Sequence, residues 1–308
     1  MAQPFLKWAG GKGKLAPKLA AMAPPFLRYH EPFLGGGAVF FAFEERGLLG
    51  SAFLSDSNRL LIDAFRAVRD AVEEVIAALE PLAAAFDRAT PEERRALYYA
   101  VRDHRPASDV AAAAWLIFLN RTCYNGLFRV NGAGRFNVPY GRYANPRILD
   151  AERLRECSRA LRTAQLTAED FESACERAQP GDFVYLDPPY HPLSATAHFT
   201  KYTSDGFGPE EQARLAACFE RLSARGVAAA LSNSAHPSIL RLYEAKGYDL
   251  QTVPMPRAIN SKGNGRSPIP ELLVTNFHRP EVASTLRDVQ EAAGAAAATP
   301  RNSRKAGL

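Results

Sequence analysis

The stretch Asp182-Phe-Val-Tyr-Leu-Asp-Pro-Pro-Tyr190 decides how the rest of the chain is read. Phe183 to Leu186 is a short apolar run of the kind that fills a strand buried on both faces. Pro188 and Pro189 end it, because they lack N–H donors and push each preceding residue out of the helical region. Asp187, the carbonyls around Pro188 and the ring of Tyr190 are therefore presented together at the strand's carboxyl end, the edge where open α/β sheets bind ligands. An acceptor-only carboxylate, a fixed carbonyl and a flat ring suit a planar amino-bearing group such as a nucleobase. An ordinary Asp-Pro turn is the plain alternative; the full four residues after an apolar strand favour a site.

Working outward, Arg28 to Phe33 reads as a strand, followed by Leu34-Gly-Gly-Gly37 and a helix from Ala38. Strand, glycine turn and helix is a nucleotide-binding layout, although the glycines do not fall in the G-x-G-x-x-G pattern. The next strand, Ala52 to Ser55, ends at Asp56, twenty residues beyond Gly36, where an acid suits ribose hydroxyls. At the amino end, Gly10 and Gly11 allow close approach of a ligand, and Lys7 and Lys12 can meet a carboxylate or phosphate. Together these features favour an adenosine-containing cofactor over a turn that only builds the fold.

Four more segments read as strands: Gln165–Asp170, Val227–Asn233, Asp249–Met255 and Leu272–Thr275. Asp170 has two open readings: acceptor for a cofactor's amino group with Phe171 stacking on its base, or N-cap of the helix starting at Phe171. Asp150 caps a helix through Leu161, and Pro209 opens another through Leu222. The fold class is α/β, a Rossmann-like sheet of seven strands. Between its second and third strands the texture turns helical. Leu60, Leu61, Ala64, Val68, Val72 and Val75 recur at helical spacing, and Thr90-Pro-Glu-Glu93 is a capping box. Asp109 to Leu119 reads as a buried helix. This insertion, 57–145, is large enough for a small domain between the flanking pieces 1–56 and 146–279 of the sheet domain.

The insertion ends in Asn120 to Tyr143, where Asn131-Gly132 and Gly134 mark a hairpin turn flanked by Phe128, Val130, Phe136 and Val138. No Asp or Glu occurs from Val110 to Leu149, while Arg121, Arg129, Arg135, Arg142 and Arg147 do. A hairpin with arginines, asparagines and exposed aromatics fits a nucleic-acid reader: arginine pairs with guanine, asparagine suits adenine, and an apolar tip can wedge into a stack. A solvated hairpin with incidental arginines is the alternative.

The 308 residues carry a net charge of +5, permissive of a polyanionic partner. Cys123, Cys157, Cys175 and Cys218 form no C-x-x-C pair and the six histidines no ligand spacing, so no metal is expected. Neither a signal-peptide layout nor a membrane-length apolar run is present, and the expectation is a cytoplasmic protein. The loops His191–Ser204 and Arg257–Arg266 read as flexible, and 280–308 as a frayed, disordered tail.

These stretches in this order resemble the Dam-type (D12 class, group alpha) DNA adenine methyltransferases. The resemblance rests on FLKWAGGK at Phe5–Lys12, EPFLGGGAVFF at Glu31–Phe41 and FLSDSN at Phe53–Asn58. It continues with Asn120–Tyr143 and with YLDPPYHPLSATAHFTKY at Tyr185–Tyr202, and so spans roughly residues 5–276. It implies a seven-stranded methyltransferase sheet with an inserted target-recognition domain, S-adenosyl-L-methionine as cofactor, and double-stranded DNA as partner to a monomer, with GATC the usual target. Trp8, Lys12, Phe33, Gly35 and Gly37 would line the cofactor pocket, Asp56 would hold the ribose, and Asp170 and Phe171 the adenine. Asp187, Pro188, Pro189 and Tyr190 would carry catalysis. Tyr124 and Asn125 would meet the orphaned base, Leu127 would wedge into the stack, and Arg129 would read a guanine. Lys7, Asn137, Arg142 and Tyr143 complete the DNA-binding set. An RNA adenine methyltransferase and a catalytically idle DNA-binding protein are the competing readings.

Two departures stand out. Ala144-Asn145 follow the Gly-Arg-Tyr turn where similar proteins often carry lysines, and Cys123 stands where glycine is frequent.

Overall fold

In the computed structural model of the protein, the described residues are 2–8, 10–190, 207–255 and 269–277. The loops expected at 191–204 and 257–266 and the tail at 280–308 lie outside them.

Seven strands form one sheet: β1 (Tyr29–Glu31), β2 (Ala52–Asp56), β3 (Ala164–Ala168), β4 (Phe183–Leu186), β5 (Ala228–Ser234), β6 (Asp249–Met255) and β7 (Ile269–Thr275). Their spatial order is β3-β2-β1-β4-β5-β7-β6, with the first five parallel and β7 antiparallel to both neighbours. The chain thus leaves β1 towards one edge and resumes on its other side at β4, which makes the β1–β4 junction the topological switch point. Ligands of open α/β sheets sit outside the carboxyl ends of such a pair.

All four residues of β4 are buried. Phe183 and Tyr185 join the apolar cluster on one face, Val184 and Leu186 that on the other, as the two-residue period of a strand requires. Each end of β4 carries a carboxylate with a different task. Asp182, at the amino end, accepts from Arg28 Nε (2.9 Å) and Nη2 (2.7 Å), from Gln179 N (2.9 Å), and meets His30 Nε2 at 3.1 Å. Burial works against that charge, but these partners outweigh it and hold the Asp182 carboxyl below its ordinary range. Asp187 lies at the carboxyl end, on the switch-point edge.

The helices are α1 (Ala16–Met22), α2 (Ala38–Glu45), α3 (Arg59–Asp70), α4 (Val72–Arg88), α5 (Pro91–Asp103), α6 (Asp109–Thr122), α7 (Ala151–Leu161), α8 (Phe171–Glu176), α9 (Pro209–Ala224) and α10 (Pro237–Tyr243). The expected capping box closes as read: Thr90 Oγ1 accepts from Glu93 N while Glu93 Oε2 accepts from Thr90 N. Elsewhere the structure differs from the reading. The helical run through Val75 divides at Ala71 (φ −143°, ψ 47°), with neither Gly nor Pro to announce the break. Strand β1 is three residues rather than six because Pro32 ends it, and β3 stops at Ala168, short of Asp170.

Helix α3 opens the insertion yet is tied to the sheet. Arg66 Nη2 donates to Leu166 O (2.6 Å) and Arg69 Nη1 to Ala164 O (2.8 Å). The core runs on without a gap into the insertion, where Phe65, Phe86 and Phe118 belong to the same buried cluster as Tyr29 and Phe183.

Candidate functional site

A crevice of about 550 Å³ opens at the carboxyl edge of β1 and β4. It is lined by Trp8 and Lys12 from the amino-terminal segment, Phe33 and Gly35 after β1, and Asp56 after β2. Asp170, Phe171 and the Asp187–Tyr190 segment complete the wall. Gly35 (φ 50°) and Gly37 (φ 70°) adopt left-handed backbone that only glycine takes without strain. A Cβ on Gly35 would lie 2.8 Å from Trp8 Cδ1, so the bare backbone lets the indole lie on the turn. Gly35 N donates to Asp56 Oδ2 (3.0 Å) and Asn58 N to Oδ1 (2.9 Å). Burial pushes the Asp56 carboxyl up and these two N–H groups pull it back.

Asp170 is the N-cap of α8, accepting from Glu172 N (3.0 Å) and pairing with Arg214 Nη2 (3.0 Å), and it lines the crevice as well. Its two readings are therefore compatible. Phe171 is buried, stacked on Phe33 with ring centroids 5.3 Å apart, and the Arg214 guanidinium lies 5.0 Å from its centroid. Phe33, half-buried, is the more open ring of the pair.

The other half of the crevice centres on Asp187. Its Oδ1 pairs with Lys12 Nζ at 2.9 Å and accepts from Ser232 Oγ at 2.9 Å. The Lys12 ammonium also donates to Gly10 O (2.7 Å) and lies 4.5 Å from the centroid of the Tyr190 ring. Burial raises the Asp187 pKa, and Lys12 and Ser232 only partly offset it. Behind it, Glu31 Oε2 accepts from Tyr29 OH (2.8 Å) and Phe40 N (3.1 Å), and burial pushes this carboxyl up to about 8. Among the described residues, three buried polar atoms of this region, Tyr190 Oη, Ser234 Oγ and Glu271 Oε2, have no hydrogen-bond partner. Sequence reasoning assigned no role to Glu31, Ser232 or Glu271. They come from three different strands, and only the strand order brings them to one edge.

Glu31 sets one expectation. Between its ordinary pKa of 4.5 and its folded value of about 8, the folded state holds a proton that the unfolded chain has released. Stability therefore falls as pH rises through that window. Glu31→Gln keeps one acceptor oxygen for Tyr29 and Phe40 and removes the charge. Its melting temperature should exceed that of the wild type at pH 8, by on the order of 1–3 kcal/mol of stability, with the gap shrinking towards pH 5. Calorimetric scans at the two pH values check this; an equal difference at both would assign Glu31 no titration in that window.

The hairpin is built more loosely than its sequence suggests. Two isolated bridges, Val130 with Phe136 and Cys123 with Tyr140, hold it. Asn131 Oδ1 closes the turn by accepting from Ala133 N and Arg135 N, each at 3.0 Å. Of the aromatics expected at its surface, Tyr124 is exposed but Phe128 and Phe136 point inward, Phe128 stacking on Trp8 at 5.4 Å and Phe136 edge-on to Trp115. A half-buried indole and the apolar helix α6 offer these rings more than water does. Tyr124 is 43% exposed, with Asn125 (φ 56°) beside it, while Leu127 is half-buried. Exposed Arg129 is braced by Asn137, donating from Nε to its Oδ1 (2.7 Å) and from Nη2 to its O (3.1 Å). Lys7 Nζ lies 4.9 Å from the centroid of the Tyr143 ring, and Arg142 is exposed with φ 54°. Cys123 is buried with its Sγ donating to Leu127 O at 3.3 Å, which ties down the path into the hairpin.

Crevice and hairpin meet through Asn120, 2% exposed at the end of α6. Its Oδ1 accepts from Lys7 N (2.7 Å), and its Nδ2 donates to Lys7 O (2.8 Å) and Gly126 O (3.1 Å). A Cβ on Gly126 would lie 2.7 Å from Lys7 Cβ, so that turn closes on the amino-terminal segment only because it is glycine.

Among the described residues no cluster of three or more His, Cys, Asp or Glu could hold a metal ion, and no helix is long and apolar enough to cross a membrane. The sequence profile of the D12 class N6 adenine-specific DNA methyltransferases matches residues 8–254. The chain is 40% identical over 288 residues to the type II methyltransferase M.MjaIII of Methanocaldococcus jannaschii, covering 89% of this chain and 99% of that one. It is 40% identical over 280 residues to M1.LlaDCHI of Lactococcus lactis subsp. cremoris (89% and 95% covered). To the DNA adenine methylase of Escherichia coli K12 it is 35% identical over 283 residues (91% and 96% covered).

Proposed function

The chain belongs to the D12 class of N6 adenine-specific DNA methyltransferases, and on that footing we propose that it uses S-adenosyl-L-methionine to methylate an adenine flipped out of duplex DNA, within GATC. The observation that carries the proposal is the Asp187–Tyr190 segment facing the glycine turn across one crevice at the switch point. The residues present fit the cofactor. The Asp56 carboxylate, fixed from behind by Gly35 N and Asn58 N, suits ribose hydroxyls. The Phe33 ring and the Asp170 carboxylate suit adenine, and Trp8, Gly35, Gly37 and Lys12 bound the methionine end. Bound there, the cofactor would supply an electrophilic methyl group on a sulfonium.

The protein's own task is to make a poor nucleophile attack. The adenine amino lone pair is delocalised into the ring. The Asp187 carboxylate and the Pro188 carbonyl, fixed in direction by Pro188 and Pro189, accept the two N–H groups and favour a geometry whose lone pair faces the methyl carbon. Much of the acceleration comes from that positioning. Asp187 is then the acceptor already in place for the proton that the alkylated nitrogen sheds. Extrusion of the base costs a few kcal/mol of unstacking, which the Tyr190 ring and the insertion of Leu127 offset. Region 57–145 reads the site, with 1–56 and 146–279 performing the chemistry in a cytoplasmic monomer. Tyr124 and Asn125 face the orphaned partner base, Arg129 reads a guanine with Asn137 as its brace, and Lys7, Arg142 and Tyr143 extend the basic face.

Incubating the protein with unmethylated plasmid and labelled cofactor, then mapping modified adenines, tests the reading. Label confined to GATC supports it; label elsewhere overturns the assigned sequence, and no label overturns the function. Arg129→Ala should relax discrimination at one base pair by about 1–3 kcal/mol. Binding to single-base variants of the site checks this; uniform weakening across all sequences would make Arg129 a phosphate contact.

A further inference from the structure

Lys12 is in an unusual place for a cationic side chain: it is 3% exposed at the centre of the site. Its ammonium touches a carboxylate oxygen of Asp187, a backbone carbonyl of Gly10 and the Tyr190 ring. Carboxylate, carbonyl and ring are the same three kinds of partner that a target amino group needs. Lys12 thus already holds the Asp187 oxygen that the substrate must reach. An adenine entering the pocket has to move it, and a buried ammonium cannot be moved to a place without an acceptor at reasonable cost.

The strand register identifies that acceptor. Ser232 and Ser234, two residues apart on β5, share a face, and Ser232 Oγ donates to Asp187. Glu271 on β7 is directly opposite Ser234, and antiparallel partners project to the same side. Glu271 therefore stands on the face of the sheet that carries Asp187. Among the described residues its Oε2 is buried without a hydrogen-bond partner, as are Ser234 Oγ and Tyr190 Oη. Burial raises the Glu271 pKa, Lys12 lowers it, Asp187 raises it and the nearby Tyr190 hydroxyl lowers it, so these groups already feel one another.

We infer that Lys12 is a resident stand-in for the target amino group, and that Glu271 is the positioning residue that receives its ammonium when the base arrives. The inference rests on the flipped-adenine reading above. It has a consequence for specificity. Lys12 leaves Asp187 at no net loss only if the incoming base brings a donor of its own, so a base with a carbonyl at that position leaves Asp187 unpaired and is rejected.

The test measures base extrusion without transfer. A duplex that keeps adenine at the target position and carries a fluorescent guanine analogue as its 5′ neighbour brightens when the target leaves the stack, and each variant is saturated with the demethylated cofactor, with saturation verified by calorimetry. Lys12→Met should raise emission roughly threefold or more over the wild type, because nothing fills the site. Glu271→Gln should lower emission by a similar factor in the wild-type background and leave it unchanged in the Lys12→Met background. Lys12→Gln stands in should the methionine variant not fold. Emission at or below the wild-type level in the Lys12 variants overturns the inference, as does a Glu271→Gln effect that is absent or equal in both backgrounds. Adenine labelling of plasmid by the wild type is scored separately. If it occurs and the fluorescence pattern fails, only this inference falls; if it does not occur, the functional reading falls first.

Discussion

Asp187→Ala is expected to reduce methyl transfer to duplex DNA by about 10³-fold or more while leaving DNA affinity within a few-fold of the wild type. Asp187 sits at the carboxyl end of a strand whose other residues are all buried, so its position is set by the sheet and not by a mobile loop. Its Oδ1 is held by Lys12 and Ser232, so the direction of the carboxylate is set before substrate arrives. The hairpin's exposed residues lie elsewhere on the chain and are untouched by the change. Single-turnover transfer measured beside filter binding separates the two effects. Asp187→Asn retains an acceptor oxygen and should lose less than the alanine variant. Near-normal turnover in Asp187→Ala would remove Asp187 from the mechanism, and a parallel loss of DNA binding would make it a structural residue.

Asn120→Ala should carry the largest structural cost. Truncation strands Lys7 N, Lys7 O and Gly126 O, all partners of a nearly buried amide. At about 1–3 kcal/mol for each buried group left unpaired, and with some relief from water, the loss is about 3–5 kcal/mol. For a chain of this size that lowers Tm by roughly 6–15 °C. Below the new Tm the variant should also discriminate less between cognate and altered sites, because Gly126 and the turn carrying Tyr124 and Asn125 are no longer tied to Lys7. Thermal unfolding and competition binding read the two effects. A Tm within about 2 °C of the wild type would mean that water replaces the amide without loss.

What could be read in advance follows from how local each signal is. The β4 edge is legible because four apolar residues and two prolines are consecutive, and the glycine turn because left-handed backbone leaves glycine in the sequence. Asp56 is found by its distance from that turn. Ser232, Glu31 and Glu271 are not legible in this way. Each lies in a strand whose own sequence names no site, and its neighbours are supplied by the order β1-β4-β5-β7, to which no local pattern points. The inward turn of Phe128 and Phe136 has the same cause: their partners, Trp8 and Trp115, come from distant segments. The break at Ala71 is tertiary in origin too, since α3 packs on β3 as well as on α6 and α7, while α4 packs on the same two helices and on α5.

The bond between Asn120 and Lys7 also sets a rule for exchanging parts between enzymes of this kind. Residues 5–8 are distant in sequence from the hairpin but are its physical floor. Arg121 Nη2 grips Phe5 O, Asn120 grips both sides of Lys7, and Trp8 lies under Phe128. The hairpin transplanted into a relative as residues 120–143 alone would rest on foreign ground. The transferable module has two pieces, 5–8 and 120–143, and the smaller of them also lends Trp8 to the wall of the crevice.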